Sequence, residues 1–522
     1  MVKKFFVILK DILRNIHKNI YTLQLYFSFK KINNFQENVA GNVLVDAIWE
    51  NNMHWLKTHL VLKGIYKTCG SNFIALTKLK KNFLTKLILS TFKFKSKIEL
   101  NEKKVNLYIN ISKKLLKNIN TVEDLFKLKL KFNFPVFLFH DSHLKKHKIP
   151  TIDFSNKKDL IKDLSLQLCL LDQLAMSFKK KKFNALVISH IHGMYYSTIV
   201  WICLMNKIKV FKYGQHNKNL SISILKNSKD HTNMLTDWLT KKDILKLNKS
   251  KIEKIYSKGK SYANSLIGKK INNMKLTGSY VYDDKNIKSL RDLNNYLGFE
   301  KNQKLIIIYS HCYPDFPNIY GKSWYYDYYI WLRKILEIAN NFSNYNFLIK
   351  PHPAEKNYNC STKNLFSSEL YSHNIKILEK NSPDKKILLL STLGITAVGS
   401  TFFEHISFGK KAITSNLHHS TDLFSKLTYS SFKELKKMLK NIDNIQITKL
   451  QKRNANIILS AFYSNSKKNL ELPLAWNDYE ASKLIPKFIN NQSTKFEKEY
   501  NLIERFANSR FNKYRVYQNI EM

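Results

Sequence analysis

The first regular pattern in the sequence is Asn42-Val43-Leu44-Val45-Asp46-Ala47-Ile48, a short apolar run rich in β-branched residues. A helical stretch follows from Asn51 to Lys67, then Gly70 and a second apolar run, Phe73-Ile74-Ala75-Leu76. Strand, helix, turn and strand in this order are typical of a βαβ unit, in which both strands join one parallel sheet. The sequence therefore predicts an α/β domain that begins near residue 38.

The same alternation continues through the first half of the chain. The next predicted elements are a strand at Pro135-Val136-Phe137-Leu138-Phe139, a helix over 160–178, a strand over 185–188, a helix over 195–206 and a strand over 209–213. They predict one Rossmann-like domain over residues 38–285, preceded by a basic amphipathic segment at residues 1–37.

A second alternating series follows the polar stretch 283–286. Its predicted elements are strands over 305–309, 346–349, 375–378 and 412–414, an apolar run over 387–392, and helices over 326–341 and 402–408. They predict a second Rossmann-like domain over 286–470, then a helical tail at 471–522 that crosses back to the first domain or contacts a membrane. Two doubly wound domains with a cleft between them are the predicted architecture. Ligands of such domains bind beyond the carboxyl ends of the strands.

Composition excludes several classes of protein. The 522 residues are 44% hydrophobic and 13% aromatic, which rules out a disordered chain. The five cysteines are scattered and odd in number, which rules out a disulfide scaffold. The net charge is +48, but the lysines run from end to end instead of clustering, so we expect no dedicated nucleic-acid binding. A field this positive does attract anions such as nucleotides, acidic glycans and anionic lipid.

The sequence predicts no membrane span and no signal peptide. No stretch of 18 residues lacks a charge or a strong polar break. The N-terminus alternates Lys with apolar residues but has no long apolar region and no small-residue cleavage site. A surface helix packed on its own domain is favoured there over an amphipathic helix resting on a membrane. We therefore expect a cytoplasmic protein, with the inner face of the plasma membrane as a peripheral contact.

The sharpest motif is Lys350-Pro351-His352-Pro353-Ala354-Glu355, at the end of a predicted strand. Two prolines restrict the backbone on either side of the histidine, so we expect its ring to have a fixed orientation. Lys350 and His352 can then donate to one point, which suits a phosphate or carboxylate. The alternative is a rigid turn whose histidine is satisfied within the protein.

A second motif, Gly399-Ser400-Thr401-Phe402-Phe403-Glu404, ends at Gly409-Lys410. Gly399 allows close backbone approach, Ser400 is the expected helix cap, and the helix N-terminus with two hydroxyls predicts an anion site. Glu404, one turn further, suits the diol of a ribose. The alternative is a simple capping box between Ser400 and Glu404.

A third segment, Tyr309-Ser310-His311-Cys312-Tyr313-Pro314-Asp315, follows the first strand of the second domain. We expect His311 and Asp315 to lie at the cleft. Asp327 and the aromatic residues around it begin the next helix, where packing alone explains most of them.

These segments together resemble bacterial surface-polysaccharide (capsule) biosynthesis glycosyltransferases of the GT-B fold. The likeness rests on the Lys-Pro-His-Pro strand end, the Gly-Ser segment with its Glu404 and Gly-Lys pair, the His-Cys-Tyr segment and the helix at 327–332. It spans roughly residues 300–415, and the first half of the chain is similar in architecture only. The His-Pro pair is similar to that of transferases using CMP-activated acidic sugars, such as Kdo transferases and bacterial sialyltransferases.

The resemblance implies that the second domain holds a nucleotide sugar. Lys350 and His352, with Pro353, would contact a phosphate, Ser400 and Thr401 the phosphate or its neighbour, and Glu404 the ribose. Relatives often have a small residue where this chain has Phe402, and the resemblance assigns no role to His405. GT-B enzymes generally stabilise the leaving phosphate with side chains and helix dipoles, so a metal-independent enzyme is implied.

The acceptor hydroxyl needs a base from the first domain. Candidates at predicted strand ends are Asp46, Glu50, Asp141, His190, His192 and His216. Asp46 is favoured because the first strand ends deep in such clefts, and His311 and Asp315 complete the catalytic candidates.

We expect no metal and no cofactor. His190-x-His192 and His418-His419 each lack a third ligand at a recognised spacing. A Gly-x-Gly-x-x-Gly loop and a P-loop are absent, which argues against a dehydrogenase and an NTPase.

The predicted function is a glycosyltransferase that moves a sugar from a nucleotide-activated donor, a CMP-linked acidic sugar in first place, to a growing surface polysaccharide or lipid-linked acceptor. Two enzyme alternatives keep the fold: a glycerophosphotransferase of the teichoic-acid type and a sugar-nucleotide 2-epimerase. The alternative from another class is a non-catalytic scaffold that binds polyanions or membranes.

Overall fold

The computed structural model describes residues 20–21, 23–33, 39–48, 51–78, 83–216, 219–232, 241–245, 247–266, 288–366, 372–378, 384–416, 421–463, 470–475, 477–509 and 512–514. Two six-stranded sheets form the frame of the molecule. The first contains β1 (Asn42–Asp46), β2 (Asn72–Lys78), β3 (Ser96–Leu100), β4 (Ala185–Ile188), β5 (Lys209–His216) and β6 (Asn219–Leu225). The second contains β7 (Lys304–Tyr309), β8 (Tyr345–Lys350), β9 (Ile375–Ile377), β10 (Leu393–Thr396), β11 (Ala412–Ser415) and β12 (Thr428–Tyr429).

Both sheets have the strand order of a Rossmann fold. The first runs β3-β2-β1-β4-β5-β6 and the second, read from its other edge, runs β9-β8-β7-β10-β11-β12. All neighbouring strands are parallel except β5 and β6. The order reverses between β1 and β4 and between β7 and β10, and such switch points are where ligands bind. The predicted fold class, an α/β protein with two Rossmann-like domains, is confirmed.

Helices whose first and last residues are both described pack on the two sheets. Those of the first half are α1 (Asn52–Cys69), α2 (Phe83–Ser90), α3 (Ile109–Leu116), α4 (Val122–Phe126), α5 (Val136–His147), α6 (Lys158–Lys180), α7 (Met194–Met205), α8 (Ser228–Thr232), α9 (Lys241–Ile244) and α10 (Lys249–Leu266). Those of the second half are α11 (Leu290–Tyr296), α12 (Tyr328–Ala339), α13 (Thr362–Leu365), α14 (Asp384–Leu390), α15 (Ser400–Ser407), α16 (Phe432–Lys440), α17 (Lys449–Tyr463), α18 (Asp478–Asn491) and α19 (Ser493–Ala507). Among all the residues that the structure describes, no helix is both long enough and apolar enough to span a bilayer.

The strand predicted at Pro135–Phe139 is wrong, because this run begins helix α5. Every residue from Val136 to Leu144 is buried, so the helix has no polar face to give a helical period. A short apolar run of this kind cannot be assigned to strand or helix by periodicity. The apolar run at 387–392 likewise begins in a helix, α14, and the strand follows it as β10.

Two close helix contacts join helices that are far apart in the sequence. A Cβ at Gly64 of α1 would lie 2.4 Å from Ile503 of α19, so the C-terminal helix packs tightly on the first domain. A Cβ at Gly259 of α10 would lie 1.8 Å from the carbonyl oxygen of Asn456 in α17. Helix α10, which the sequence places in the first domain, therefore packs on a helix of the second half.

Candidate functional site

Helix α5 of the first domain contacts residues 311–327, the segment that follows β7, and His192, which follows β4, contacts Phe316 of the same segment. We call this contact region the domain junction. Lys145 of α5 places its Nζ 2.5 Å from Asp315 Oδ1 and also contacts the hydroxyl of Tyr358. Asp141, in the same helix, accepts hydrogen bonds from the backbone N (2.9 Å) and Nδ2 (2.7 Å) of Asn318. Burial alone would lower the pKa of Lys145, but Asp315 and Tyr358 outweigh it and raise the pKa, which keeps this ammonium charged.

His352 is oriented by its own loop at the end of β8. Its Nδ1 accepts the backbone N–H of Ala354 at 3.2 Å and lies 3.1 Å from the thiol of Cys312. Burial and the neighbouring Lys350 lower the pKa of His352, although Asp315 opposes this. A neutral imidazole whose Nδ1 accepts carries its proton on Nε2. His352 is therefore a fixed N–H donor beside the Lys350 ammonium, as a phosphate site requires.

The helix N-terminus predicted near Ser400 is present as the start of α15. Gly399 has φ +134°, a conformation that favours glycine, and occupies the N-cap position. The expectation that Ser400 caps this helix is wrong, because Ser400 is already in the first turn and the cap residue makes no side-chain hydrogen bond. The capping-box alternative fails for the same reason. No side chain of the cap residue occupies this helix start, and the backbone N–H groups of Ser400 and Thr401 there are the candidate anion donors.

The other residues of this motif divide between the surface and the core. Ser400, Thr401 and Glu404 are half-buried, whereas Phe402 is 1% exposed and packs on Phe424 at a ring distance of 5.3 Å. The bulk of Phe402 therefore points into the core and does not occupy the start of the helix.

His311 and Asp315 have different surroundings in the loop after β7. The His311 ring stacks on Tyr328 at 4.3 Å, and its Nε2 lies 3.2 Å from Thr396 Oγ1 and 3.4 Å from the backbone N of Val398. Burial, with a contribution from His352, lowers the pKa of His311 to about 3. His311 thus ties the loop to the end of β10 as a neutral ring, and Asp315 is joined to Lys145 across the junction.

His405, to which sequence reasoning gave no role, is a packing residue. It is fully buried, and its Nε2 lies 2.7 Å from the hydroxyl of Tyr309. A Cβ at Gly394 would lie 2.8 Å from the imidazole, so β10 can pass this ring only with glycine at that position. Burial, with smaller effects of two lysines, lowers the pKa of His405 to about 3.

On the first domain, Asp46, Ser189 and His190 form a hydrogen-bonded chain at the switch point. Asp46 ends β1 and accepts from the hydroxyl of Ser189 at 2.8 Å and from the backbone N of Ile48 at 3.0 Å. The same hydroxyl lies 2.8 Å from His190 Nδ1. With Ser189 donating to Asp46, its oxygen accepts the Nδ1–H of His190. The lone pair of His190 is then on Nε2, the arrangement of an oriented base.

The electrostatic surroundings of His190 connect it to the junction. Burial lowers its pKa to about 4, and Lys212, Lys57 and Lys145 act in the same direction. Lys57 is itself buried, which lowers its pKa to about 8. The charge of Lys145 thus acts on His190, and its ammonium bonds Asp315, whose charge acts on His352.

The remaining candidates are placed as follows. His192 is buried, and its ring centroid lies 5.3 Å from that of Phe316 at the domain junction. Asp141 bonds Asn318, as described above. Glu50, the side chain of His216 and the pair His418-His419 lie outside the described residues.

The structure also contains a ligand cluster that the sequence reasoning missed. His143, His147 and Asp163 form the one group of three metal-ligating side chains found in the described part of the chain. The signal was the i,i+4 spacing of His143 and His147, which has meaning only on a helix. The sequence predicts a strand for the run before this pair, and on a strand a spacing of four does not bring two side chains together.

No family model and no curated protein matches this chain. Solved structures similar to it include a UDP-GlcNAc 2-epimerase from Neisseria meningitidis bound to UDP-GlcNAc (12% identity, 86% of this chain, 99% of that chain, TM-score 0.23). Others are the beta Kdo 2,4 transferase KpsC of Thermosulfurimonas dismutans (9%, 53% and 79%, 0.32) and the wall teichoic acid polymerase TagF (11%, 93% and 98%, 0.23). All three TM-scores lie below 0.5, so the fold assignment rests on the strand orders of this chain.

Proposed function

We propose that the protein is a GT-B-type glycosyltransferase that transfers a sugar from a nucleotide-activated donor across the domain junction. One observation carries the proposal. Lys145 bonds Asp315 in the loop whose Cys312 contacts His352, and its charge also acts on His190, which Ser189 links to Asp46. Sugar transfer needs both functions close together, one for the leaving phosphate and one for the attacking hydroxyl.

The donor side consists of the second domain. His352 Nε2–H, the Lys350 ammonium and the first-turn N–H groups of α15 at Ser400 and Thr401 stabilise the phosphate that leaves. Glu404, one turn into α15, accepts from the ribose. These groups act as fixed donors, so little reorganisation is required when charge develops on the phosphate oxygen.

The acceptor side consists of the first domain. His190 Nε2 takes the proton of the acceptor hydroxyl while the new bond to the anomeric carbon forms and the bond from that carbon to the phosphate oxygen breaks. Asp46, through Ser189, holds the imidazole in the tautomer that can accept this proton. We therefore assign Asp46, favoured above as the base, a positioning role behind His190.

The lysines favour an anionic donor, and a CMP-linked acidic sugar is our first choice. Lys57, Lys145 and Lys212 all act on His190, and Lys350 lies beside His352. The net charge of +48 likewise favours an acidic surface glycan or a lipid-linked acceptor at an anionic inner membrane face, with the protein in the cytoplasm.

A donor panel tests the proposal. The purified chain is incubated with CMP-Kdo, CMP-sialic acid, UDP-GlcNAc or CDP-glycerol, with and without a capsular oligosaccharide acceptor, and nucleotide release is measured. The proposal expects release from a nucleotide sugar that depends on the acceptor and is lost in His352→Ala. Interconversion of UDP-GlcNAc without acceptor would identify an epimerase, and CMP release from CDP-glycerol a glycerophosphotransferase. Absence of turnover with every donor would contradict a transferase and favour a binding scaffold.

A further inference from the structure

Three metal-ligating side chains lie beside the domain junction, outside the proposed transfer site. His143 and His147 are one turn apart on α5, and Asp163 lies in the second turn of α6. Their ligand atoms are all within 4.8 Å of one another. The proposed transfer reaction uses none of these three residues, so their convergence needs another explanation.

The two imidazoles converge on one carboxylate oxygen. His143 Nδ1 and His147 Nε2 each lie 2.8 Å from Asp163 Oδ2, and the two rings are 4.6 Å apart. Asp163 is 1% exposed and His143 is 3% exposed, whereas the side chain of His147 is 25% exposed. The cluster is thus closed on the protein side and reached by solvent at His147.

We propose that His143, His147 and Asp163 bind a divalent transition-metal ion, Zn²⁺ in first place. Two imidazole nitrogens with one carboxylate oxygen suit Zn²⁺ and its first-row neighbours, whereas Mg²⁺ and Ca²⁺ take oxygen ligands. Ligands about 2.1 Å from an ion and about 90–110° apart are separated by about 3.0–3.4 Å. The observed 2.8 Å separations therefore need only a small expansion.

The ion would take the place of the two N–H groups that point at Asp163. Each imidazole stays neutral by carrying its proton on the other ring nitrogen, and a solvent molecule completes the coordination on the His147 side. In its absence the carboxylate is balanced by Lys146, whose ammonium contacts the other oxygen and whose side chain is 44% exposed. The metal would link the end of α5 to α6 and so hold the adjacent Lys145 in place at the junction.

Cobalt titration of the full chain, after dialysis against a chelator, tests this site. Co²⁺ bound by nitrogen and oxygen ligands in a low-coordinate site has visible d–d absorption, and Zn²⁺ should displace it. We expect one equivalent to bind, and His147→Ala to weaken binding by at least about 100-fold, since even outer-shell changes weaken metal sites by up to that factor. His373→Ala, which removes an exposed histidine, is the matched control and should bind as the unchanged chain does.

Lys146→Ala separates a metal site from a plain ion-pair cluster. Removing the competing ammonium should strengthen Co²⁺ binding about two- to fivefold, which corresponds to the free energy of a half-exposed ion pair. Reduced thermal stability without a gain in Co²⁺ affinity would overturn the proposal. So would the absence of a one-equivalent spectrum in the unchanged chain, or the same spectrum in His147→Ala. Asp163→Asn, checked for folding by circular dichroism, is the second variant if His147→Ala does not fold.

Discussion

The two domains that meet at the domain junction differ in how their polar groups are assembled. On the second domain, Lys350 ends strand β8 and His352 lies two residues later, oriented by its own loop. On the first domain, Asp46 and His190 come from two strand ends 144 positions apart and are joined through Ser189. A local site leaves a readable motif in the sequence, whereas an assembled site leaves separate residues that become meaningful only after folding.

The largest effect is expected when the proposed base on the first domain, His190, is removed. His190→Ala should lower kcat by about 10²–10⁴-fold with a smaller change in KM, because a positioned base contributes that much to proton transfer. Steady-state kinetics with whichever donor turns over in the donor panel measure it, with His373→Ala as the matched control. A turnover of His190→Ala within about threefold of the unchanged chain would place the base elsewhere.

Buried neutral histidines should make the fold acid-sensitive in both domains. His190 and His231 have pKa values lowered to about 4 by burial, and His59, His311 and His405 to about 3. The unfolded chain takes up protons below about pH 6.5 and these folded histidines do not, so stability is full above that pH and falls as the pH drops towards 4. Each such histidine should cost about 2 kcal/mol at pH 5.

Urea unfolding at pH 7.5 and pH 5.0 measures this effect, and His405→Gln sharpens it. The variant loses one titrating group, so between pH 7.5 and pH 5.0 its unfolding free energy should fall by about 2 kcal/mol less than that of the unchanged chain. Buried Glu499 and Asp327 have pKa values raised to about 7 and about 6, mainly by burial, and oppose the trend, but fewer groups act in that direction. A stability that is flat or rises towards pH 5 would contradict the account.

Removing the Lys145 contact across the domain junction should have a smaller effect on catalysis. Lys145→Met removes the contacts to Asp315 and Tyr358 and should lower kcat/KM about tenfold by loosening the alignment of the two sites. The ion pair is partly exposed, so the change in unfolding free energy should stay within about 1 kcal/mol. Lys334→Met, at an exposed helical ion pair, is the control. Unchanged kinetics in Lys145→Met would show that the junction does not align the sites.

Much of the fold was predictable because the strands are short apolar runs at regular intervals. The strand order and the switch points follow the general rules of doubly wound sheets once the βαβ units are recognised. The prediction failed where burial removes the pattern, as in α5, where nine consecutive buried residues have neither a period of two nor of 3.6. The edge strand β3, with the sequence SKIEL, has only two apolar residues and so gives too weak a strand pattern to be recognised.

The parts of the candidate site that neighbouring residues form were predictable, whereas the parts assembled from distant residues were not. The strand-end positions of Lys350 and His352 and the helix start at Ser400 follow from adjacent residues. The relay through Ser189 was not predictable, because no spacing rule connects β1 to β4. The His143–His147 pair was hidden by the wrong element, since a spacing of four places side chains together on a helix and not on a strand.

The central claim is that the second domain holds a nucleotide through His352. The most direct measurement is the thermal shift of the unchanged chain and of His352→Ala with CMP, UDP, GDP and CDP-glycerol at low salt. A ligand at 100 times its dissociation constant should stabilise the fold by about 2.7 kcal/mol. The account predicts selective stabilisation by one nucleotide, CMP in first place, and its loss in His352→Ala. A flat response of the unchanged chain to all four compounds would contradict it.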